Sequence, residues 1–126
     1  MDGFQQEGVN FNAVAKNSHT LEPTSLAMQS RRLKILRTAL GQTLGGMAEM
    51  IGYSTPQSWA NFEDGRPFGP QLAIRLCQRT GVDMPWIYYG REDGLPLLLL
   101  KKIKAAEKGE LQPPKRGRRP RNPAAG

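Results

Sequence analysis

Three short side chains share a helical spacing, because Ala60 and Asn61 follow Gln57 by three and four residues. This spacing places all three on one face of a helix. Amide side chains such as those of glutamine and asparagine can hydrogen-bond to base edges in the major groove of duplex DNA. The same face also fits an ordinary solvent-exposed helix, because such helices carry polar residues on their outer side. Both interpretations require the opposite face of the helix to be buried.

The helix that carries these residues has clear start and stop signals. Thr55 is a typical N-cap, and Pro56 suits the first helical position, where its missing N–H costs nothing. Trp59 and Phe62 share the other face and predict the buried side. Gly65 predicts the end of the helix, after residue 63.

A second short helix precedes it. Thr43 predicts its N-cap, and the helix extends to about Ile51 and ends at Gly52. Residues 52–55 then form a tight turn that contains glycine, which is typical of a helix-turn-helix pair.

Four further helices complete an all-α pattern, with no competing strand signal. They are predicted from Thr24 or Ser25 to Leu40, over 70–81, over 83–90 and over 95–108. The predicted fold is therefore a compact five-helix domain with an extra C-terminal helix. The predicted apolar stripe of the first helix consists of Leu26, Leu33, Leu36 and Leu40. A basic group, Arg31, Arg32 and Lys34, lies mostly off that stripe.

The charge distribution predicts how the chain is divided. Residues 1–100 hold nine basic and nine acidic residues, whereas residues 101–126 hold nine basic and two acidic ones, so the net charge of +7 lies in the last fifth. We expect a disordered segment over 1–23, a folded domain over 24–90, a C-terminal helix over 91–108 and a basic disordered tail over 109–126. A basic arm on a neutral domain suggests a polyanionic partner, although a tail that only aids solubility has the same composition.

Several classes of protein are not expected. The single cysteine, Cys77, allows no intramolecular disulfide, and with the single histidine, His19, it cannot close a four-ligand zinc site of nitrogen and sulfur. No catalytic constellation is visible, so we expect neither an enzyme nor a cofactor. The longest apolar run, 97–100, is too short to span a membrane, and no signal peptide is visible. A cytoplasmic protein is the expectation.

The combined pattern resembles the phage repressor/Cro-type (XRE-like) helix-turn-helix family. The resemblance covers about residues 30–90, and its segments are RLKILR (32–37), MAEMIG (47–52), WANFEDGRP (59–67), LAIRLC (72–77) and TGVD (80–83). It implies double-stranded DNA binding, usually as a homodimer, with the third helix in the major groove. It also implies an internal ion pair between Arg37 and Glu63, and core positions for Trp59 and Phe62.

The resemblance also assigns roles to individual side chains. By position, Gln57 and Asn61 would read adenine, and Ala60 would meet a thymine methyl group. Thr55 and Ser58 would contact phosphates or cap the helix, and Arg66 would contact a phosphate.

Two departures from the family pattern concern the second helix and the turn. The family usually places a phosphate-clamping glutamine where this chain has Leu44, and Gln42 lies nearby but outside that position. The turn at residues 53–54 is one residue longer than the commonest pattern.

The tail resembles an AT-hook, a basic element of the minor groove, over residues 114–121. Its arginines are Arg116, Arg118, Arg119 and Arg121, of which Arg119 interrupts the usual core of that element. As a plain basic arm, the tail would still gain affinity by counterion release, with a salt slope steeper by about 5 for five or six phosphates.

Three functions remain open. The leading one is a sequence-specific transcriptional regulator, in particular a dimeric repressor in a bacterial or phage nucleoid. A protein-interaction module, such as an antitoxin, is the second, and a nonspecific nucleic-acid binder acting through the tail is the third. The apolar edge of the last helix, Leu99, Leu100 and Ile103, either packs on the domain or forms a dimer contact, and the dimer contact is favoured.

Overall fold

The computed structural model describes residues 22–114. Within this range the chain forms six α-helices and no strand, which confirms the all-α prediction for these residues. The helices are α1 (Leu26–Leu40), α2 (Leu44–Met50), α3 (Pro56–Glu63), α4 (Pro70–Thr80), α5 (Met84–Tyr89) and α6 (Leu97–Glu107). The predictions of disorder for the termini concern mainly residues 1–21 and 115–126, which lie outside the described residues.

Local capping signals determine where the helices begin and end. Ser25, Thr43 and Asp83 are N-caps, and each side chain accepts a hydrogen bond from the backbone N–H three residues later, at 3.2, 3.0 and 3.1 Å. Gly41 and Gly81 end α1 and α4 in the left-handed region, at φ 67° and 88°. Each of these six predicted helices is therefore present, and the ends of all six agree within two residues.

Replacing Asp83 with alanine is expected to lower the free energy of unfolding by about 1 kcal/mol, because the first turn of α5 loses its side-chain acceptor. Thr55→Ala is the matched control, since Thr55 occupies the N-cap position of α3 without accepting a capping hydrogen bond. Urea denaturation of both variants tests this expectation. Equal losses of stability in the two variants would contradict it.

All six helices contribute to one hydrophobic core. Trp59 of α3 and Trp86 of α5 are its largest fully buried side chains. Burial of such side chains is the main favourable term in folding. The other large side chains with almost no exposed surface are Leu33, Leu36, Met47, Ile51, Leu76, Ile87 and Ile103.

The apolar edge of α6 packs against α1 of the same chain. Leu99 and Ile103 are buried in the common core, and Leu100 is partly buried against it. Of the two alternatives for this edge, the structure shows packing on the domain and not the favoured dimer contact, whereas a homodimer as such stays a prediction. The apolar residues that α6 exposes are instead Leu97 and Leu98, at 66% and 70%.

Two residues of α1 depart from the predicted stripe. Leu26, in the first turn, is exposed. Arg32, expected off the stripe, is only 5% exposed, because its guanidinium donates to the backbone oxygens of Ile87 (2.9 Å) and Pro23. Arginine is placed here to satisfy carbonyl groups at the end of α5 and before α1, an arrangement that helical periodicity does not encode.

No helix among residues 22–114 is long and apolar enough to cross a membrane.

Candidate nucleic-acid interface

The outer face of α3 carries the predicted amide side chains. Gln57 is exposed, whereas Ala60 and Asn61 are partly buried. Gln57 Nε2 donates a hydrogen bond to Asn61 Oδ1 at 2.9 Å, so the two amides form one unit one turn apart. The sequence placed these residues together but did not reveal this hydrogen bond, which depends on side-chain rotamers.

A pair of hydroxyl groups lies at the beginning of α3. Thr55 Oγ1 and Ser58 Oγ are 3.0 Å apart, within hydrogen-bonding distance, and Thr55 makes no side-chain cap. The backbone N–H groups of the first turn of a helix need acceptors, and anions are favourable there. The predicted capping role is therefore not observed for Thr55, and phosphate contact by these hydroxyls stays a prediction.

The inner face of α3 is held by aromatic packing. Trp59 has no exposed surface and Phe62 is almost fully buried, as predicted. Phe68, in the loop after α3, packs edge-on against both, with ring centroids 5.7 Å from Trp59 and 5.0 Å from Phe62. Edge-to-face pairs of this kind add to the free energy of simple burial. Trp59 is therefore unavailable for stacking on a base.

A buried ion pair ties α3 to α1. Arg37 Nε lies 2.7 Å from Glu63 Oε2, and Arg37 Nη2 lies 3.1 Å from Glu63 Oε1, so the contact is bidentate. The two side chains are only 8% and 9% exposed. Trp59 Nε1 also donates to Glu63 Oε2 at 2.6 Å. The predicted pair is confirmed, and the indole adds a third donor to the same carboxylate.

Two polar residues of α1 hold the end of α3 and the following loop. Ser30 Oγ donates to the backbone oxygen of Phe62 at 2.7 Å, and Gln29 Oε1 accepts from the backbone N–H of Phe68 at 2.9 Å. Both side chains are buried. Buried polar groups need partners, so these two bonds position the C-terminal end of α3. Sequence reasoning missed both residues, because their partners are backbone groups distant in the chain.

Another missed residue, Arg75 of α4, stabilises the connection between α2 and α3. Its Nη1 donates to the backbone oxygen of Ile51 at 2.8 Å, which satisfies a carbonyl at the end of α2. Gly52 follows with φ 92°, and a Cβ there would lie 2.6 Å from the same guanidinium nitrogen. The backbone angle favours glycine at the turn, whereas the contact alone could be relieved by a shift of the Arg75 side chain.

Gln42 lies beside the first turn of α2, the helix whose first residue, Leu44, departs from the pattern of the resembled family. A methyl group on Gly46 would overlap the side-chain amide of Gln42, so this amide lies against the first turn of α2. Leu44 is partly buried against the core. The structure thus places a glutamine amide beside the start of α2, although the residue lies before the helix.

The arginines predicted to contact DNA lie in two places, the loop after α3 and the C-terminal tail. Arg66 is exposed in the loop after α3, and its backbone N–H donates to the oxygen of Asn61 at 3.1 Å. Its guanidinium forms no ion pair with any residue between 22 and 114. The predicted tail contacts, Arg116, Arg118, Arg119 and Arg121, lie outside the described residues.

Cys77, the single cysteine of the chain, lies partly buried on α4. Burial, followed by the negative charge of Asp83, raises the pKa of the Cys77 thiol, which keeps it protonated near neutral pH. In the described part of the chain, no three His, Cys, Asp or Glu residues are grouped so that they could hold a metal ion.

Comparison of the chain with protein-family models, with curated proteins and with solved structures found no match in any of the three.

Proposed function

We propose that this protein is a sequence-specific binder of double-stranded DNA, in which α2 and α3 form a helix-turn-helix of the phage repressor/Cro type. The single observation that carries the proposal is the hydrogen-bonded amide pair of Gln57 and Asn61 on the outer face of a firmly anchored helix. A recognition helix needs this combination, because side chains must meet base edges in a fixed register.

The amide pair presents complementary hydrogen-bonding groups. The bond from Gln57 Nε2 to Asn61 Oδ1 leaves Gln57 Oε1 as an acceptor and Asn61 Nδ2 as a donor, and neither has a partner among residues 22–114. Adenine offers the matching pair in the major groove, with an N6 donor and an N7 acceptor. The methyl group of Ala60, between the two amides, suits contact with the thymine methyl.

Groups at both ends of α3 would position it on the phosphate backbone. Thr55 and Ser58 lie at the beginning of the helix, and Arg66 follows its end. Contacts of this kind fix register without reading sequence. The basic tail would add affinity through counterion release. A dimer bound to two half-sites would act as a regulator, in particular a repressor, by occupying its operator.

A selection experiment tests this function. The full chain is used to select binders from a random duplex DNA library at about 150 mM salt. Enrichment of a motif, in particular an inverted repeat with half-sites about one helical turn apart, supports sequence reading by a dimer. Equal binding to every duplex, lost when residues 109–126 are removed, would contradict it and indicate binding through the tail alone.

Gln57→Ala and Asn61→Ala are each expected to weaken binding to the selected motif by about 10- to 100-fold and to relax one position of it. Because the two amides form one unit, the double variant should lose less than the product of the two single losses. Titration of labelled duplex by fluorescence anisotropy measures these affinities.

Gln78→Ala is the control, since Gln78 is an exposed glutamine on α4 and not on the helix that carries the proposed base-reading side chains. Its affinity should match that of the wild type. Equal losses in Gln78→Ala and Gln57→Ala would show that α3 does not read the bases.

A second candidate function is a protein-interaction module, such as an antitoxin that neutralises a partner. The observation in its favour is the adjacent pair Leu97 and Leu98 at the start of α6, both largely exposed. Exposed apolar pairs are suited to a protein contact. Leu97→Ser/Leu98→Ser should abolish binding of a partner protein while leaving DNA selection unchanged if this function is the correct one.

A further inference from the structure

A cleft of about 430 Å³ lies between α1 and α5, away from the outer face of α3. Arg31 and Arg32 supply cationic groups to its lining, and Met28, Ile35 and Tyr89 supply apolar surface. Ligand sites in proteins have volumes of about 300–1,000 Å³ and combine apolar walls with a few polar groups. The cleft therefore has the size and composition of a small-molecule site.

Arg32 is the unusual member of the lining. Its side chain is buried, yet its hydrogen-bond partners among residues 22–114 are backbone oxygens, those of Ile87 and Pro23. In the same range no carboxylate lies within 4.0 Å of its guanidinium. A guanidinium has five N–H donors, so donors remain for an additional acceptor. Buried charges are usually paired, so an anion is the chemical complement of this group.

Two carboxylates at the rim, those of Glu92 and Glu107, limit the charge of such an anion. Both are held by Lys104, whose Nζ lies 2.8 Å from Glu92 Oε2 and 3.5 Å from Glu107 Oε1. The cations at the cleft and its rim are therefore Arg31, Arg32 and Lys104. They face two carboxylates, those of Glu92 and Glu107. One positive charge remains to be balanced, which a monoanion would do, whereas a dianionic phosphate would be repelled by the rim.

We propose that this cleft binds a small organic monocarboxylate. Its carboxylate accepts hydrogen bonds from Arg31 and Arg32, and its hydrocarbon part packs against Met28, Ile35 and Tyr89. Arginine suits this role, because its planar donor array matches the geometry of a carboxylate. The proposal does not depend on DNA binding, since none of these residues lies on α3.

Isothermal titration of the full chain with acetate, isovalerate and phenylacetate, each paired with its uncharged amide, tests the proposal. At least one acid with a hydrocarbon group should bind at millimolar concentration or below, and its amide should bind at least tenfold more weakly. Arg31→Gln should weaken binding of the acid tenfold or more and leave the amide unaffected. Tyr89→Ala should weaken both, because it removes apolar contact.

Arg79→Gln is the matched control, since Arg79 is an exposed arginine on α4 outside the cleft. It should leave the affinity for the acid unchanged. Three results would overturn the proposal: no binding of any of the three acids at about 10 mM, equal binding of acid and amide, or equal weakening by Arg79→Gln and Arg31→Gln.

Discussion

Glu63→Ala is expected to lower the free energy of unfolding by about 3–5 kcal/mol. The variant leaves the guanidinium of Arg37 buried without its carboxylate partner, and it also removes the acceptor of the Trp59 indole N–H. An uncompensated buried charge and an unsatisfied buried donor each carry a desolvation penalty. Urea denaturation followed by far-UV circular dichroism measures the loss.

An exposed ion pair in the same protein provides the control. Asp93 lies 3.5 Å from Arg91, and both side chains are largely exposed, so Asp93→Ala should cause no measurable loss. Replacing Arg37 and Glu63 together by leucine should cost less than Glu63→Ala alone, because no buried charge remains. A Glu63→Ala variant within about 1 kcal/mol of the wild type would show that the pair does not anchor α3.

Helix boundaries were predictable because the signals that determine them are local. Ser25, Thr43 and Asp83 precede the helices that they cap, and each of these hydroxyl or carboxyl groups reaches a backbone N–H three residues away. The final helix was predicted over 95–108 and is observed at Leu97–Glu107. Its start is displaced because Leu95 precedes a proline, and the residue before a proline is disfavoured in the α region. Pro96 itself is extended, with ψ 143°, and takes the N-cap position.

The buried faces were only partly predictable, because burial depends on which elements meet. Leu33 and Leu36 fit the apolar helical period of α1 and are buried. Leu26 fits the same period but is exposed, because no neighbouring element covers the first turn of α1 at this residue. Arg32 is buried because α5 ends against it. Periodicity identifies an apolar edge but not its partner, which is why the sequence left both the domain and a second chain open as partners of the edge of α6.

At the candidate interface, residue types and spacing identified the outer face of α3 and the ion pair beneath it. The hydrogen bond between Gln57 and Asn61 was not predictable, because it depends on rotamers. Ser30 and Arg75 were missed for another reason: each binds a backbone oxygen more than 20 residues away, and any backbone oxygen has the same chemistry. The spacing of residue types along the sequence therefore does not predict such contacts.

Ile103→Ala is expected to lower the free energy of unfolding by about 2–5 kcal/mol. Ile103 has no exposed surface and packs from α6 into the core shared with α1, so the shortened side chain leaves a cavity. Leu98→Ala, on the same helix, should change stability by less than about 0.5 kcal/mol, because Leu98 is largely exposed. Thermal and urea denaturation of the full chain measure both variants.

Repeating these measurements over a hundredfold range of protein concentration separates the two roles of α6. If Ile103 acts within one chain, the loss caused by Ile103→Ala is the same at every concentration, since no association step is involved. If the apolar edge instead stabilised a dimer, the wild-type midpoint would rise with concentration and the variant would lose that dependence. The packing of Ile103 against α1 predicts the first result. A dimer contact made by α6 would then have to use the residues that this helix exposes, and Leu97 and Leu98 are its large exposed apolar residues.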